Sequence, residues 1–516
     1  MKILKMIGLS SALCLSAMTL QAQETNEVEQ LKKQLQQMQD NFEKVHWEQQ
    51  QQIEALTKKL DDFTKTQTAP ATAQKTEEQK KLEAQLAAEL SNDSATNAAL
   101  ADSALKKPWS PSEPMRVFGS GSSYLNLSLD GLFAAGGSTS TDIPSLEIGG
   151  HDPNQRGFTV QNVEAVFEGF VDPYFRGQAN IIYQIDAEGE STFELEEAYA
   201  ETLSLPDNLQ FKAGQYFTQF GRLNPTHPHA WSFVDLPLVN GRFLGGDGLR
   251  NPGAQLSWLT PTPFYSELFL GVQDSQGETA ENFRDDHEGE PFLGRVDSVD
   301  RVKSFGDLLF TPRYTASFDL SDTQTLLLGA SGAFGPNASG NDTDTQIYGV
   351  DLFWKWKPVN HHGGFPFVSW QTEAMLREYQ AGDYSNAGDD TNGDGVIDNG
   401  ETDVFADGVI HNAPRETLTD YGFYSQLAYG FRKGWVANLR GEYVSRTEAA
   451  DYEKLYGDDS DRLERWRLSP NLTWYPSEFS KLRLQYNYDH GQSFRTEHSI
   501  WLQLEFLLGS HGAHKF

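Results

Sequence analysis

Apolar and polar residues alternate along the last third of the chain. Between Ser499 and Leu508, residues Ile500, Leu502, Leu504, Phe506 and Leu508 share one parity, and Trp501, Gln503, Glu505 and Leu507 the other. The stretch Lys481 to Asp489 repeats the pattern, with Leu482, Leu484, Tyr486 and Tyr488 opposed by Arg483, Gln485, Asn487 and Asp489. A period of two with charge on one face predicts strands that have an oily side and a wet side. About sixteen such segments follow Met115. They start near Tyr124, Phe158, Phe175, Thr192, Asn208, Pro252, Phe264, Asp307, Thr323, Asp344, Pro366, Leu418, Gly434, Leu463, Ser480 and Glu497. An apolar face repeated so often needs either a second sheet or lipid. The connections decide between them. Junctions such as Asp172-Pro173, Pro206-Asp207, Ser321-Asp322 and Arg432-Lys433 are short, and they alternate with mostly longer ones such as Gly136 to Gly157, Gly221 to Asn251, Ser275 to Gly306, Ala381 to Thr417 and Thr447 to Arg462. A β-sandwich has no reason to keep that parity, whereas an all-β transmembrane barrel of about sixteen antiparallel strands keeps it, with short turns at one rim and long loops at the other. Clusters at strand ends, Phe353-Trp354-Trp356, Trp435 and Trp474-Tyr475, suit interfacial aromatic girdles.

The pattern differs before the strands. Lys2 and Lys5 precede an apolar run from Met6 to Leu20 with Ala22 after it, which predicts a signal peptide over 1–22. Over 23–65 the period becomes helical: Val28, Leu31, Leu35, Met38, Phe42 and Val45 are spaced alternately by three and four, and the series resumes at Ile53, Leu56, Leu60 and Phe63. That is a heptad with one four-residue insertion, and it predicts an α-helical coiled coil with Gln49 at a core position. The alternative is a single amphipathic helix on a surface. Residues 66–115 read as a spacer with a short helical hint at Leu82, Leu86 and Leu90, and 116–516 as the barrel.

Composition sharpens this picture in two places. The one cysteine, Cys14, falls in the predicted leader, so the exported chain would carry no disulfide and depend on a closed hydrogen-bonded sheet instead. The formal charge is -32, which disfavours nucleic acid as a partner. No nucleophile elbow, phosphate loop or HExxH helix is present, so the chain reads as a non-enzyme.

Several phrases carry a family resemblance. They are Phe167-Glu168-Gly169 before Asp172-Pro173-Tyr174-Phe175, Glu197-Ala198-Tyr199, Ala213-Gly214-Gln215 running into Phe220-Gly221-Arg222, and the terminal strand. Over about 116–516 the chain resembles the phosphate-selective porin O/P family. The stretch Asn224 to Leu259, with His227-Pro228-His229, Trp231, Phe233 and Asp235, and the tail His511 to Phe516 are similar to a subgroup described as zinc-regulated outer-membrane proteins. This resemblance implies an outer-membrane channel for small hydrophilic solutes, embedded in lipid and lipopolysaccharide. It also implies a homotrimer and a third loop, 221–251, folded inward as the constriction. The helical arm would lie in the periplasm and reach the cell wall. No lysine- or arginine-rich loop is present from which phosphate selectivity would carry over.

Four groups of residues are candidates for chemistry. The third loop holds Arg222, His227, His229, Asp235 and Arg242; of these His227, His229 and Asp235 offer a three-ligand zinc site, against the plainer reading of a loop wedged by proline and rings. In the sixth long loop Asp390, Asn392, Asp394, Val396, Asp398 and Glu401 fall at the ligand positions of an EF-hand-type turn, which predicts a structural calcium ion; a solvated acidic loop is the alternative. His361, His362, His511 and His514 fall on the short-turn side. Finally, Arg440, Arg465, Arg467 and Arg483 have inward parity, and Glu164, Glu168, Glu194 and Glu196 sit on early strands. Either a basic wall faces an acidic one across the lumen, or these charges pair locally. Rival functions are a zinc-related outer-membrane transporter or metal-binding protein, and a non-conducting envelope tether.

Overall fold

The computed structural model describes residues 115–509 apart from 121–122, 171, 186–188, 286, 288–289, 300, 390, 392–395, 398–401 and 403. The predicted leader, coiled coil and spacer, the histidines His511 and His514, and the proposed calcium ligands other than the exposed Val396 lie outside the described residues.

The strands run in chain order as β1 (Met115–Ser120), β2 (Ser123–Ser138), β3 (Gly157–Phe170), β4 (Phe175–Ile185), β5 (Ser191–Thr202), β6 (Leu209–Phe217), β7 (Arg250–Leu259), β8 (Tyr265–Gln273), β9 (Leu309–Ser321), β10 (Gln324–Pro336), β11 (Asp344–Trp356) and β12 (Phe367–Ala381). After the two-residue pair β13 (Tyr384–Ser385) and β14 (Asn412–Ala413) come β15 (Glu416–Arg432), β16 (Trp435–Arg446), β17 (Arg465–Ser477), β18 (Ser480–Gly491) and β19 (Glu497–Leu508). Each long strand pairs antiparallel with its chain neighbours, and β19 pairs with β2 from Ser499↔Ser138 to Leu508↔Leu129. The sheet is therefore a closed barrel of sixteen strands. All sixteen expected strands form, each starting within two residues of its expected place. The alternation has no place for β1. It pairs with the first residues of β2, Met115↔Leu127 to Ser120↔Ser123, and so prolongs the seam below the end of β19.

Along β18 the residues Lys481, Arg483, Gln485, Asn487 and Asp489 are buried inward, while Leu484 and Tyr486 are exposed outward. On the outside, leucines such as Leu439, Leu468, Leu472, Leu484, Leu502 and Leu504 stay exposed. Aromatic pairs bound them: Trp435–Trp474 near the short turns and Trp466–Tyr488 near the long loops. From Trp466 to Trp474 on β17 is eight residues of strand, about 26 Å at ~3.3 Å each and about 20 Å of height at a tilt of ~40°. That matches the apolar belt of a lipid-embedded barrel. Among the described residues no helix is long and apolar enough to cross a membrane.

Candidate functional site

The lumen is not simply wet. The connection between β6 and β7, residues 218–249, folds into it, carrying the helix α1 (Leu238–Leu244). The inward turn that the family resemblance implies is thus present in this chain. Leu238, Val239, Phe243 and Leu244 pack on the inward apolar residues Ile347, Met375, Tyr424 and Val444 of β11, β12, β15 and β16. The Leu238 amide at the start of α1 donates to Glu442 Oε2 at 2.7 Å, where a carboxylate also meets the positive end of the helix. Neither helix nor apolar patch was anticipated. The signal available was Leu236-Pro237-Leu238-Val239 together with the lone apolar residues at inward parity.

The arginine wall is inward as expected, but it is the docking surface of this loop. Asp235 is fully buried, and each of its carboxylate oxygens takes two donors. Oδ1 accepts from Arg440 at 2.6 Å and Gln485 at 2.7 Å; Oδ2 accepts from Arg467 at 2.6 Å and Asn487 at 2.7 Å. Burial alone would raise its pKa; Arg440 and Arg467 outweigh that and bring it down to about 2. Arg440 also binds Glu442, and Arg465 and Arg467 share Asp489. The loop between β2 and β3 supplies Glu147, which faces Arg467 at 2.7 Å and accepts from the indole of Trp501. Burial, with Asp235 and Asp489 close by, pushes Glu147 up to about 7 despite Arg467. Arg483 donates to the carbonyls of Trp231 at 2.7 Å and Phe233 at 2.8 Å. Local pairing therefore describes Arg440, Arg465 and Arg467 better than a free basic wall, and Arg483 is held by neutral acceptors. The remaining loop candidates are engaged as well: Arg222 stacks over Phe353 at 4.0 Å, and Arg242 donates to the Leu463 carbonyl.

The zinc triad expected from spacing does not assemble. Asp235 has no oxygen lone pair to spare, and the histidines face the other wall. His227 Nδ1 lies 2.7 Å from Glu196 Oε2 and 3.3 Å from Glu164 Oε1, its Nε2 meets Glu197 Oε2 at 3.1 Å, and His229 Nδ1 meets Glu164 Oε2 at 3.2 Å. The acidic side of the lumen is thus built around the loop histidines. Burial would depress the His227 pKa; Glu164 and Glu196, with hydrogen bonds to Glu196 and Glu197, override it and hold it well above the usual imidazole value. Glu196 and Glu197 are neighbours in sequence, yet both point inward. A β-bulge is the reason: Asn180 pairs with Glu197 and Ile181 with Leu195, which leaves Glu196 as the extra residue. Strict alternation conceals Glu197. Of the other early acids, Glu194 binds Arg250, and Glu168 and Glu201 bind Arg176. His361 and His362 lie exposed on the turn before β12, away from the lumen cluster.

No family model matches the chain. A protein of Aquifex aeolicus (strain VF5), described only as uncharacterized, is 29% identical over 419 residues, spanning 76% of this chain and 79% of its own. Among solved structures, the outer membrane channel DcaP of Acinetobacter baumannii is similar with a TM-score of 0.46 and 12% identity, over 76% of this chain and 99% of that one. OmpT of Vibrio cholerae follows at 0.43 and 6%, over 76% and 99%, and OprD of Pseudomonas aeruginosa at 0.39 and 11%, over 75% and 96%.

Proposed function

We propose that the protein is an outer-membrane porin that passes small hydrophilic solutes or ions by passive diffusion, with the inward loop 218–249 as its constriction. One observation carries the reading: a closed sheet whose outside is an apolar belt between aromatic rims and whose inside is a ladder of paired charges. Such a sheet closes on itself and presents hydrocarbon outward, the condition for residence in lipid. On the short-turn side of the loop lies a small cavity lined by Ser232, Phe233, Ser369, Gln371, Gln426 and Asn438. Lipid and lipopolysaccharide as surroundings, a trimeric assembly and a periplasmic helical arm belong to the same proposal.

Arg440, Arg465 and Arg467 are paired with buried carboxylates, so these three arginines beside the loop contribute little net positive field. Acids crowd the long loops, as at Asp383, Asp389 and Asp407. The proposed preference is therefore for cations. Folded protein reconstituted in a planar bilayer is expected to give stepwise conductance, and a reversal potential under a salt gradient of the sign that cations set. Silence from correctly folded protein would favour the tether reading, and a reversal potential of the opposite sign would overturn the charge argument.

A further inference from the structure

We infer that Glu164, Glu196 and His227 form a binding site for a divalent transition-metal ion of the zinc type, inside the barrel where the inward loop meets β3 and β5. One oxygen from each carboxylate and one imidazole nitrogen all lie within 4.8 Å of one another. Ligand atoms about 2.0–2.2 Å from a tetrahedral ion stand roughly 3.4 Å apart. His227 Nδ1 is 2.7 Å from Glu196 Oε2 and 3.3 Å from Glu164 Oε1, so closing around an ion needs shifts of under about 1 Å. One imidazole and two carboxylates suit zinc and its neighbours better than calcium, which prefers six or more oxygens.

A second observation is independent of that spacing. Glu196 and Glu164 have no exposed side-chain surface, and His227 little. Even so, Oε1 of Glu196 has no hydrogen-bond donor, and its Oε2 meets the ring nitrogen Nδ1 of His227 at 2.7 Å. A buried carboxylate oxygen without a donor is costly unless a cation faces it. The groups around the three are arranged as supports. Glu197 Oε2 accepts from His227 Nε2, so that once a metal ion displaces the Nδ1 proton the lone pair there is aimed at the two glutamates, the carboxylate–histidine–metal pattern. His229 takes the far oxygen of Glu164, and Oε1, which also accepts from the Asn180 amide at 2.5 Å, lies towards the cluster. The bulge at Glu196 has a use on this reading, because it turns one more carboxylate inward than alternation allows. A small cavity lined by His151, Glu196, Thr226, Trp231 and Asp247 lies beside the cluster. His151 Nε2 stands 3.7 Å from Glu196 Oε1 at its edge. A bound ion would tie β3, β5 and the loop together, pinning the constriction.

The site does not depend on conductance, so its test reads metal directly. Full-length protein folded in detergent is stripped with chelator, incubated with zinc, dialysed and analysed for bound metal. One zinc per chain is expected. Glu196→Gln and His227→Gln should each weaken retention at least tenfold, while His361→Ala on the exposed turn should leave it unchanged. Should a lumen variant fail to fold, X-ray absorption of the zinc-loaded wild type replaces it; a shell of nitrogen and oxygen with a single imidazole supports the site. Absence of retained zinc in the folded wild type, equal retention in both lumen variants, or a shell without imidazole would each overturn it.

Discussion

Replacing Asp235 by alanine tests how the inward loop is held. The substitution removes four hydrogen bonds at 2.6–2.7 Å and the carboxylate between Arg440 and Arg467. Deleting one member of a buried ion pair costs about 3–5 kcal/mol. Here Arg440 keeps Glu442, and Arg467 keeps Asp489 and Glu147, so less than a full charge is stranded. The lower end, about 3 kcal/mol, applies, and it corresponds to a factor of about a hundred in the local opening equilibrium. The loop keeps other attachments: the Leu236 amide to Asp152, the Leu238 amide to Glu442, and the Leu223 amide to Glu373. It should therefore loosen around 233–237 without leaving the lumen. Hydrogen exchange at the amides of Val234 and Leu236 should rise by about two orders of magnitude, with the amides of β12 and β15 unaffected. In bilayers the variant should show larger and noisier conductance steps than the parent. Asp235→Asn should sit between the two, because it keeps the shape but loses the charge. Unchanged exchange at Val234 and Leu236 in the alanine variant would refute the docking argument, whatever the conductance.

Other consequences follow from named contacts. Arg483→Ala should free the carbonyls of Trp231 and Phe233 and cost about 2 kcal/mol or more; Arg483→Lys should not restore the loss, since one ammonium does not reproduce the planar fork, and equal exchange of 231–234 in the lysine variant and the parent would contradict this. Leu504→Arg puts a charge on the exposed outer face of β19, at about 2–4 kcal/mol near the bilayer midplane. Folding yield into lipid vesicles should drop, and an undiminished yield would show that this face does not meet lipid. In the loop between β8 and β9, burial pushes Glu281 from 4.5 up to about 7 against the pull of His287 and Arg377. His287 is raised from 6.5: burial opposes, and Asp297, Asp285 and Glu281 prevail. The folded loop thus holds more protons than the unfolded one, for Glu281 between pH 4.5 and about 7 and for His287 from 6.5 up through its raised value. Both make the loop less stable as pH rises. Protease cleavage within 278–299, normalised to an unstructured peptide, should speed up as pH rises from 4.5 through about 7, the Glu281 range, and beyond as His287 loses its proton; a flat profile would count against it.

The strands were legible because their signal is local. A strand shows its two faces at a period of two whatever lies across the barrel, so the positions of Arg440, Arg465, Arg467 and Arg483 inside, and of Leu484 and Leu504 outside, could be read directly. The parity of the connections added closure. Two local events broke the rule. The bulges that leave Gln161 unpaired in β3 and Glu196 unpaired in β5 each turn two consecutive polar residues inward, and nothing in the spacing announces them.

What the chain alone determined is the cylinder, since alternation and turn length are properties of neighbouring residues. What only the tertiary structure decided is who meets whom inside it. Asp235 and His227 are eight positions apart in one loop, close enough in sequence to suggest one metal site. Folded into the lumen, the loop runs between opposite walls, and each residue answers to the charges facing it: Asp235 to arginines of β16 and β17, His227 to glutamates of β3 and β5. Coulomb attraction and desolvation act through space at a few ångströms, and the sequence does not record which loop atom comes within that range of which wall.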